Sequence, residues 1–332
     1  MSFIRYNTDD SVISSETVVR GAWTNDTASL TTFFTSSVVT SSYYINVYDT
    51  SATSSLQFTI QYGHVSGSGS TLLNPSVNGV TPTRIAYGQY RSLIYNDENS
   101  SFNFGGKVSE HFYALSVARS KYKESIKPGS LSLKLYSGSS ALVLTDDSII
   151  NGSVTNFIGS NRYYTIISGS NGVAATSPKN GVSGSYGLVF PDLGVILLNA
   201  RALDVTSADG GIGFMSNTGS NVTGNPNNFQ MFKVISGSNG VYGFTLQSQE
   251  TVSSRYFFTR VKNSDFNYTT NPSIINESGS LLYDTLIDNP QTYISTVGMY
   301  NDNNELLAVA KLSRPLIKDF TKESLIRIKL DY

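Results

Sequence analysis

Large and polar residues alternate along much of this chain. Residues 43–48 (YYINVY) and 56–62 (LQFTIQY) each change character at every step, the period of a half-buried strand. The polar stretch 49–55 (DTSATSS) joins them. A Gly/Ser hinge at 63–70 (GHVSGSGS) then opens a long loop through Pro75 and Pro82. The run 112–126 departs from this period: Leu115, Ala118, Tyr122 and Ile126 are three or four apart, which predicts a short helix over its second half, ended by Pro128-Gly129. Strict alternation resumes at 130–136 (SLSLKLY).

The middle of the chain is written differently. Residues 151–250 contain only eight charged side chains among Gly, Ser and Asn, and they repeat one phrase, IISGSNGV at 166–173 and VISGSNGV at 234–241. Each copy predicts a β-branched strand entering a tight Asn-Gly hairpin. The run 193–198 (LGVILL) reads as a buried strand.

After residue 250 the text becomes denser. Residues 256–262 (YFFTRVK) predict a strand, and 293–300 (YISTVGMY), 301–304 (NDNN) and 305–312 (ELLAVAKL) predict a hairpin that Arg314-Pro315 breaks. Residues 318–324 predict one helical turn, and 325–332 (LIRIKLDY) a closing strand, either of the core or given to a neighbour. The expected fold is mainly β with a few short helices: an antiparallel β-sandwich-like core from residues 1–150 and 251–332, with an inserted low-charge β subdomain at 151–250.

Composition narrows the function. Charged residues make up 14 % of the 332, roughly half the ordinary share, so Ser, Thr, Asn and Tyr keep the surface wet. With 21 Tyr and 17 Phe the chain is not disordered. A net charge of −1 argues against a nucleic-acid partner, which needs a concentrated basic face. With no cysteine there are no disulfides, thiolate metal sites or cysteine nucleophiles, which fits assembly in a reducing cytoplasm. No stretch approaches the length that spans a bilayer, and residues 1–10 (MSFIRYNTDD) are too polar for a signal peptide.

Reactive groups are few. The two histidines are His64, beside Ser66, Ser68 and Ser70, and His111; the segment 65–69 lacks the register of a nucleophile elbow. The carboxylate pairs Asp97/Glu98, Asp146/Asp147 and Asp302/Glu305 sit among turn residues, where Asp bonds backbone. Residues 301–305 (NDNNE) carry calcium-type oxygens without the ligand spacing of a calcium loop, and 104–107 (FGGK) lacks the spacing of a phosphate loop. The basic residues of 119–127 read as a solvated face. The expectation is a non-enzymatic protein without cofactor or metal.

The stretch 289–315 (NPQTYISTVGMYNDNNELLAVAKLSRP), with the terminal LIRIKLDY, resembles the C-terminal region of virion structural proteins of T4-like contractile-tailed bacteriophages, particularly those of marine and cyanobacterial hosts. Residues 87–98 (YGQYRSLIYNDE) and 119–129 (RSKYKESIKPG) resemble segments of the same group. The resemblance implies a tail or baseplate component, the baseplate wedge among the candidates. Such a protein is assembled in the host cytoplasm and present in several copies, with other virion proteins as partners. The alternatives are a receptor-binding tail fibre or adhesin, and a head, neck or sheath-terminating part. The residues expected to carry interfaces are Tyr293, Tyr300, Leu306, Arg314, Pro315, Ile326, Ile328, Leu330 and Tyr332.

Overall fold

A computed structural model of the chain describes residues 4–35, 44–70, 81–137, 140–152, 155–175, 184–219, 226–237, 243–267 and 272–332. It is mainly β, with 45 % strand and 15 % helix, so the alternation of the sequence decides the class. The chain divides into two compact units: Thr17–Glu250, and the two chain ends Met1–Glu16 and Thr251–Tyr332.

Strand β1 (Ser11–Gly21) spans the first division. The larger unit continues with β2 (Ile45–Tyr48), β3 (Leu56–His64), α1 (Pro82–Tyr95), β4 (Phe102–Phe104), β5 (Lys107–Ser109) and β6 (His111–Val117). Next come the single turn α2 (Arg119–Tyr122), β7 (Ser125–Ile126), β8 (Ser132–Ser137), β9 (Ser140–Asp146), β10 (Asn156–Ile158) and β11 (Asn161–Ser170). Then follow β12 (Val173–Ala174), β13 (Gly187–Phe190), β14 (Val195–Asn199), α3 (Ala200–Asp204), α4 (Pro226–Ser236) and β15 (Phe244–Thr245). Strand β16 (Gln247–Val261) spans the second division, and the smaller unit adds α5 (Thr285–Asp288), β17 (Thr292–Tyr300), β18 (Leu306–Lys318) and β19 (Ser324–Asp331).

The larger unit is built on one antiparallel sheet in the order β15-β8-β9-β11-β13-β14-β6-β3-β2, with β10 and β12 also paired to β11. Strands from 151–250 are thus hydrogen-bonded members of the sheet that β2, β3 and β6 begin. Its central strands are covered on both faces, which explains their continuous apolar text. Along β14, Val195 and Leu197 enter one cluster with Phe112, Phe190 and Tyr87, while Ile196 and Leu198 enter another with Phe58, Tyr113 and Leu144. Among the described residues no helix is long and apolar enough to cross a membrane.

Four local expectations fail in the larger unit. Pro82 opens a helix instead of extending a loop. Thr81 caps it by accepting the Arg84 amide at 3.3 Å, and Ala86, Tyr87, Tyr90 and Ile94 form its buried face. Pro75 lies outside the described residues. The helix expected in the second half of 112–126 shrinks to one turn. Leu115 belongs to β6, locked between β3 and β14, and Lys123 leaves the helix at φ 58°. The repeated phrase takes two forms. Residues 166–173 make the expected hairpin, with Asn171 and Gly172 at φ 50° and 74° and Ser170 facing Val173. Val234 and Ile235 instead end α4, where Met231 and Ile235, four apart, are buried; residues 238–241 of that copy lie outside the described residues. Finally, residues 63–70 are no hinge: Gly63 and His64 finish β3, and the turn that follows is densely hydrogen-bonded.

In the smaller unit β19 pairs with β16 over eight residues, Ser254↔Asp331 to Val261↔Ser324, and Tyr332 continues the ladder through two bonds with Ser253. The β17–β18 hairpin forms as expected, but Arg314-Pro315 does not end it. Ser295 faces an irregular stretch that includes Arg314 and Pro315, and pairing resumes at Ile294↔Leu316. Proline lacks an amide to give the ladder, and an unpaired stretch of strand accommodates that lack. Residues 319–322 form a turn closed by Lys322 N on Asp319 O (3.3 Å), not a helical turn, because the Asp319 carboxylate takes the Thr321 amide at 2.9 Å.

Candidate functional site

Antiparallel pairing of β3 and β6 sets His64 directly opposite His111. Their rings stack, with centroids 5.6 Å apart and planes 15° from parallel. His64 Nδ1 lies 3.0 Å from Ser66 Oγ, and it accepts the Ser66 amide at 3.2 Å. His111 Nε2 lies 3.3 Å from Asp204 at the end of α3, whose other oxygen accepts the Ser216 amide (2.8 Å) and hydroxyl (2.7 Å). Beneath them Tyr62 is 1 % exposed, and its hydroxyl has no hydrogen-bond partner among the described residues. Burial pushes the Tyr62 phenol far above its ordinary range, helped by the nearby Asp204 charge. Burial also holds His64 down to about 4, with His111 adding to the effect and Glu110 opposing it.

This cluster contains the groups of a nucleophilic triad but not their order. Ser66 touches one imidazole and Asp204 the other, so among the described residues no carboxylate orients the ring that faces the serine. A ring held near 4 is also a feeble base at neutral pH. Nothing in the linear sequence placed Asp204 or Ser216 beside the histidines, whereas Tyr62 shares a strand face with His64 two residues on. The available signal was that His64, read as part of the Gly/Ser stretch 63–70, follows the predicted strand 56–62 by two residues, and that His111 begins the next apolar run.

The other candidate groups resolve into structure. Asp146 and Asp147 are buried and turn apart. Asp146 accepts the Gly129 amide at 2.8 Å, while Asp147 accepts the Thr165 amide and the Asn151 carboxamide, both at 2.8 Å. Asp97 caps its own turn through Asn99 and Ser100, which lowers its pKa. In the 301–305 turn the Asn301 side chain accepts the Asn303 and Glu305 amides (3.0 and 2.8 Å) and donates to the Glu305 carboxylate (2.6 Å), so the calcium-type oxygens close a hairpin. Residues 104–107 form the turn between β4 and β5. Of the basic run, Arg119 lies over Tyr122 and Lys121 reaches Thr24 and Ser55. Among the described residues no three His, Asp or Glu converge as metal ligands.

The expected interface residues all fall in the smaller unit. Tyr293, Tyr300 and Leu306 are exposed on the hairpin, with Tyr293 beside Ile317 and Tyr300 beside Leu306 across the strands. Arg314 and Pro315 are exposed within the irregular stretch. Ile326 and Ile328 turn inward, where with Val261 they are the unit's buried apolar side chains among the described residues. Leu330 is half-buried and Tyr332 exposed.

Exposure is unevenly shared. The smaller unit holds less than a third of the chain yet carries 16 of the 27 exposed large apolar side chains among the described residues. It holds only three of the 46 buried apolar residues, alanines included, among the described residues. Three full burials contribute roughly 5–9 kcal/mol before ordering entropy is counted, little for a unit of this length.

No family model matches the sequence, and no curated protein or solved structure is significantly similar to it.

Proposed function

We propose that this chain is a structural component of a bacteriophage virion, built into the tail or baseplate through protein–protein interfaces, and that it performs no turnover. The observation that carries the reading is the outward-facing apolar surface of the smaller unit. Tyr293, Tyr300, Leu307, Val309, Ile317 and Tyr332 are each more than a third exposed above a core of three buried side chains. Exposed apolar and aromatic side chains gathered on one small unit are the kind of surface that partners cover, and aromatic side chains in polar surroundings are the usual anchors. Nucleophilic chemistry, by contrast, would need the serine, base and acid in one line, and the two imidazoles divide them. The phage assignment itself rests on the resemblance of residues 289–315 and the terminal strand to virion proteins of contractile-tailed phages.

The experiment places Leu307→Glu and Val309→Glu together in the full-length chain during particle assembly. The expected result is a folded protein, by circular dichroism and hydrogen exchange, that is missing from purified particles. Normal incorporation of the double variant, or absence of the wild-type chain from any particle, defeats the proposal. Deleting residues 325–332 provides a coarser second arm. It removes the β19 ladder with two of the three buried side chains, so particles that still take up a folded truncated protein would also count against the reading.

A further inference from the structure

The contact between His64 and Ser66 fixes a protonation state by geometry alone. A backbone amide can only donate, so the Ser66 N–H, 3.2 Å from Nδ1, requires that nitrogen to be an acceptor. The imidazole is therefore neutral, with its proton on Nε2.

The loop that begins at this contact ties several elements together. Gly67 N donates to His64 O at 3.0 Å, and Gly69 N donates to Gly219 O at 2.8 Å. The Thr81 hydroxyl donates to Gly67 O at 2.7 Å, and its oxygen also caps α1. Thr83, in the first turn of that helix, donates to Ser68 O at 2.8 Å. The loop thus anchors both the start of α1 and the segment 217–219.

The titratable groups around His64 come from each neighbouring element. On β3 there is Tyr62; on β6, His111 and Tyr113, preceded by the exposed Glu110; on α3, Asp204, already engaged by His111 and Ser216. Arg84 of α1 is exposed. Within the loop itself there are only serines. No carboxylate bonds His64 among the contacts described, so a proton arriving there meets a stacked imidazole and no counter-charge within bonding distance.

We propose that His64 is an acid-sensitive latch. Protonation at Nδ1 turns the acceptor into a donor, which can keep the Ser66 hydroxyl oxygen 3.0 Å away but expels the Ser66 amide, and it places a positive charge face to face with His111. This frees residues 65–70 together with the first turn of α1 and residues 217–219. The protein in this reading keeps its sheet while one end of it opens.

The test uses the full-length chain with its only two histidines labelled with nitrogen-15. At pH 7.5 the expected His64 signal is the Nε2–H tautomer with an accepting Nδ1; a protonated Nδ1 overturns the proposal without any variant. Amide exchange is then compared between pH 7.5 and 4.5, corrected for intrinsic rates. Ser66, Gly69 and Ile85 should lose protection on the order of fifty- to a hundredfold, the linkage expected for a ring moved from 6.5 to about 4, while amides of β13 and β14 hold. His64→Asn keeps an oxygen near the Nδ1 position and does not titrate, so its loop should stay protected throughout. Unchanged wild-type protection, or an equal loss in His64→Asn, overturns the latch.

Discussion

Trp23 donates its indole N–H to the carbonyl of Phe244 at 3.1 Å and packs edge-on against the same residue's ring, centroids 4.8 Å apart. The two are 221 residues apart in sequence, and Phe58 joins them at 5.2 Å from Phe244, so one aromatic cluster ties the start of the larger unit to its end. The Phe244 carbonyl also accepts the Leu30 amide at 2.9 Å. Trp23→Phe therefore leaves no orphaned acceptor and should cost only about 1–2 kcal/mol, whereas Trp23→Ala, which opens a cavity, should cost about 3–5 kcal/mol. Urea denaturation followed by circular dichroism measures both; equal losses would show that the hydrogen bond, not packing, dominates.

Two glycines should respond to alanine in opposite directions. Gly88 lies within α1, and a Cβ there would meet nothing within 4 Å, so Gly88→Ala should stabilise by about 0.5–1 kcal/mol. Gly194 sits at φ 67°, and a Cβ would fall 2.2 Å from the Tyr122 ring. Gly194→Ala should destabilise by at least about 1–3 kcal/mol. Thermal melts of the two variants decide the matter.

Lys318 is fully buried, and its ammonium donates to Asn263 O (2.9 Å), Asn267 Oδ1 (2.7 Å) and Asp319 O (2.8 Å). All three protons are used, which is what makes a buried cation tolerable. Lys318→Met keeps the volume but strands three acceptors. A loss of about 2–4 kcal/mol is expected, together with faster exchange in residues 263–267. A neutral result would mean that water takes over all three bonds.

Stability should fall with acid. The His64 pKa is about 4 in the fold against 6.5 unfolded, so between these values the unfolded chain binds more protons. The contribution of His64 is complete above about 6.5 and is lost as pH drops toward 4, at no more than about 1.4 kcal/mol per pH unit for one proton. At the alkaline end Tyr62 and Tyr113, raised by burial, act with the opposite slope, and stability falls as pH climbs past 10. Denaturant midpoints measured from pH 4 to 7.5 should slope in wild type and flatten in His64→Asn.

How much of this was legible depended on whether the local pattern or the environment decided each element. The hairpin of β17 and β18 and the closing strand β19 were readable because one face of each is apolar and the other polar, a contrast that survives in the linear text. Helix α1 was not read, although Thr81-Pro82 is a start signal and Ala86, Tyr90 and Ile94 share a face; the surrounding glycines and prolines suggested a loop. The twin phrases at 166 and 234 show the limit most clearly. The first copy of a phrase differing at one position enters a sheet where β9 and β13 flank it, and the opening residues 234–236 of the second end a helix where preceding residues already carry helical spacing. The histidine cluster was illegible for a different reason. His64 and His111 were both visible, but only strand register makes them neighbours, and Asp204 joins them from 93 residues beyond His111.

The sheet of the smaller unit is assembled from opposite ends of the chain. Tyr6 bonds the Thr259 hydroxyl and Arg255 reaches Ser11, contacts that span 253 and 244 residues. On a ribosome, β1 therefore emerges long before its partner strand β16 exists, and the edge it offers to β16 stays unpaired through the synthesis of the larger unit. Until β16 is made, that edge is a template open to any other strand, a hazard built into a sheet that pairs β1 with a strand more than two hundred residues away.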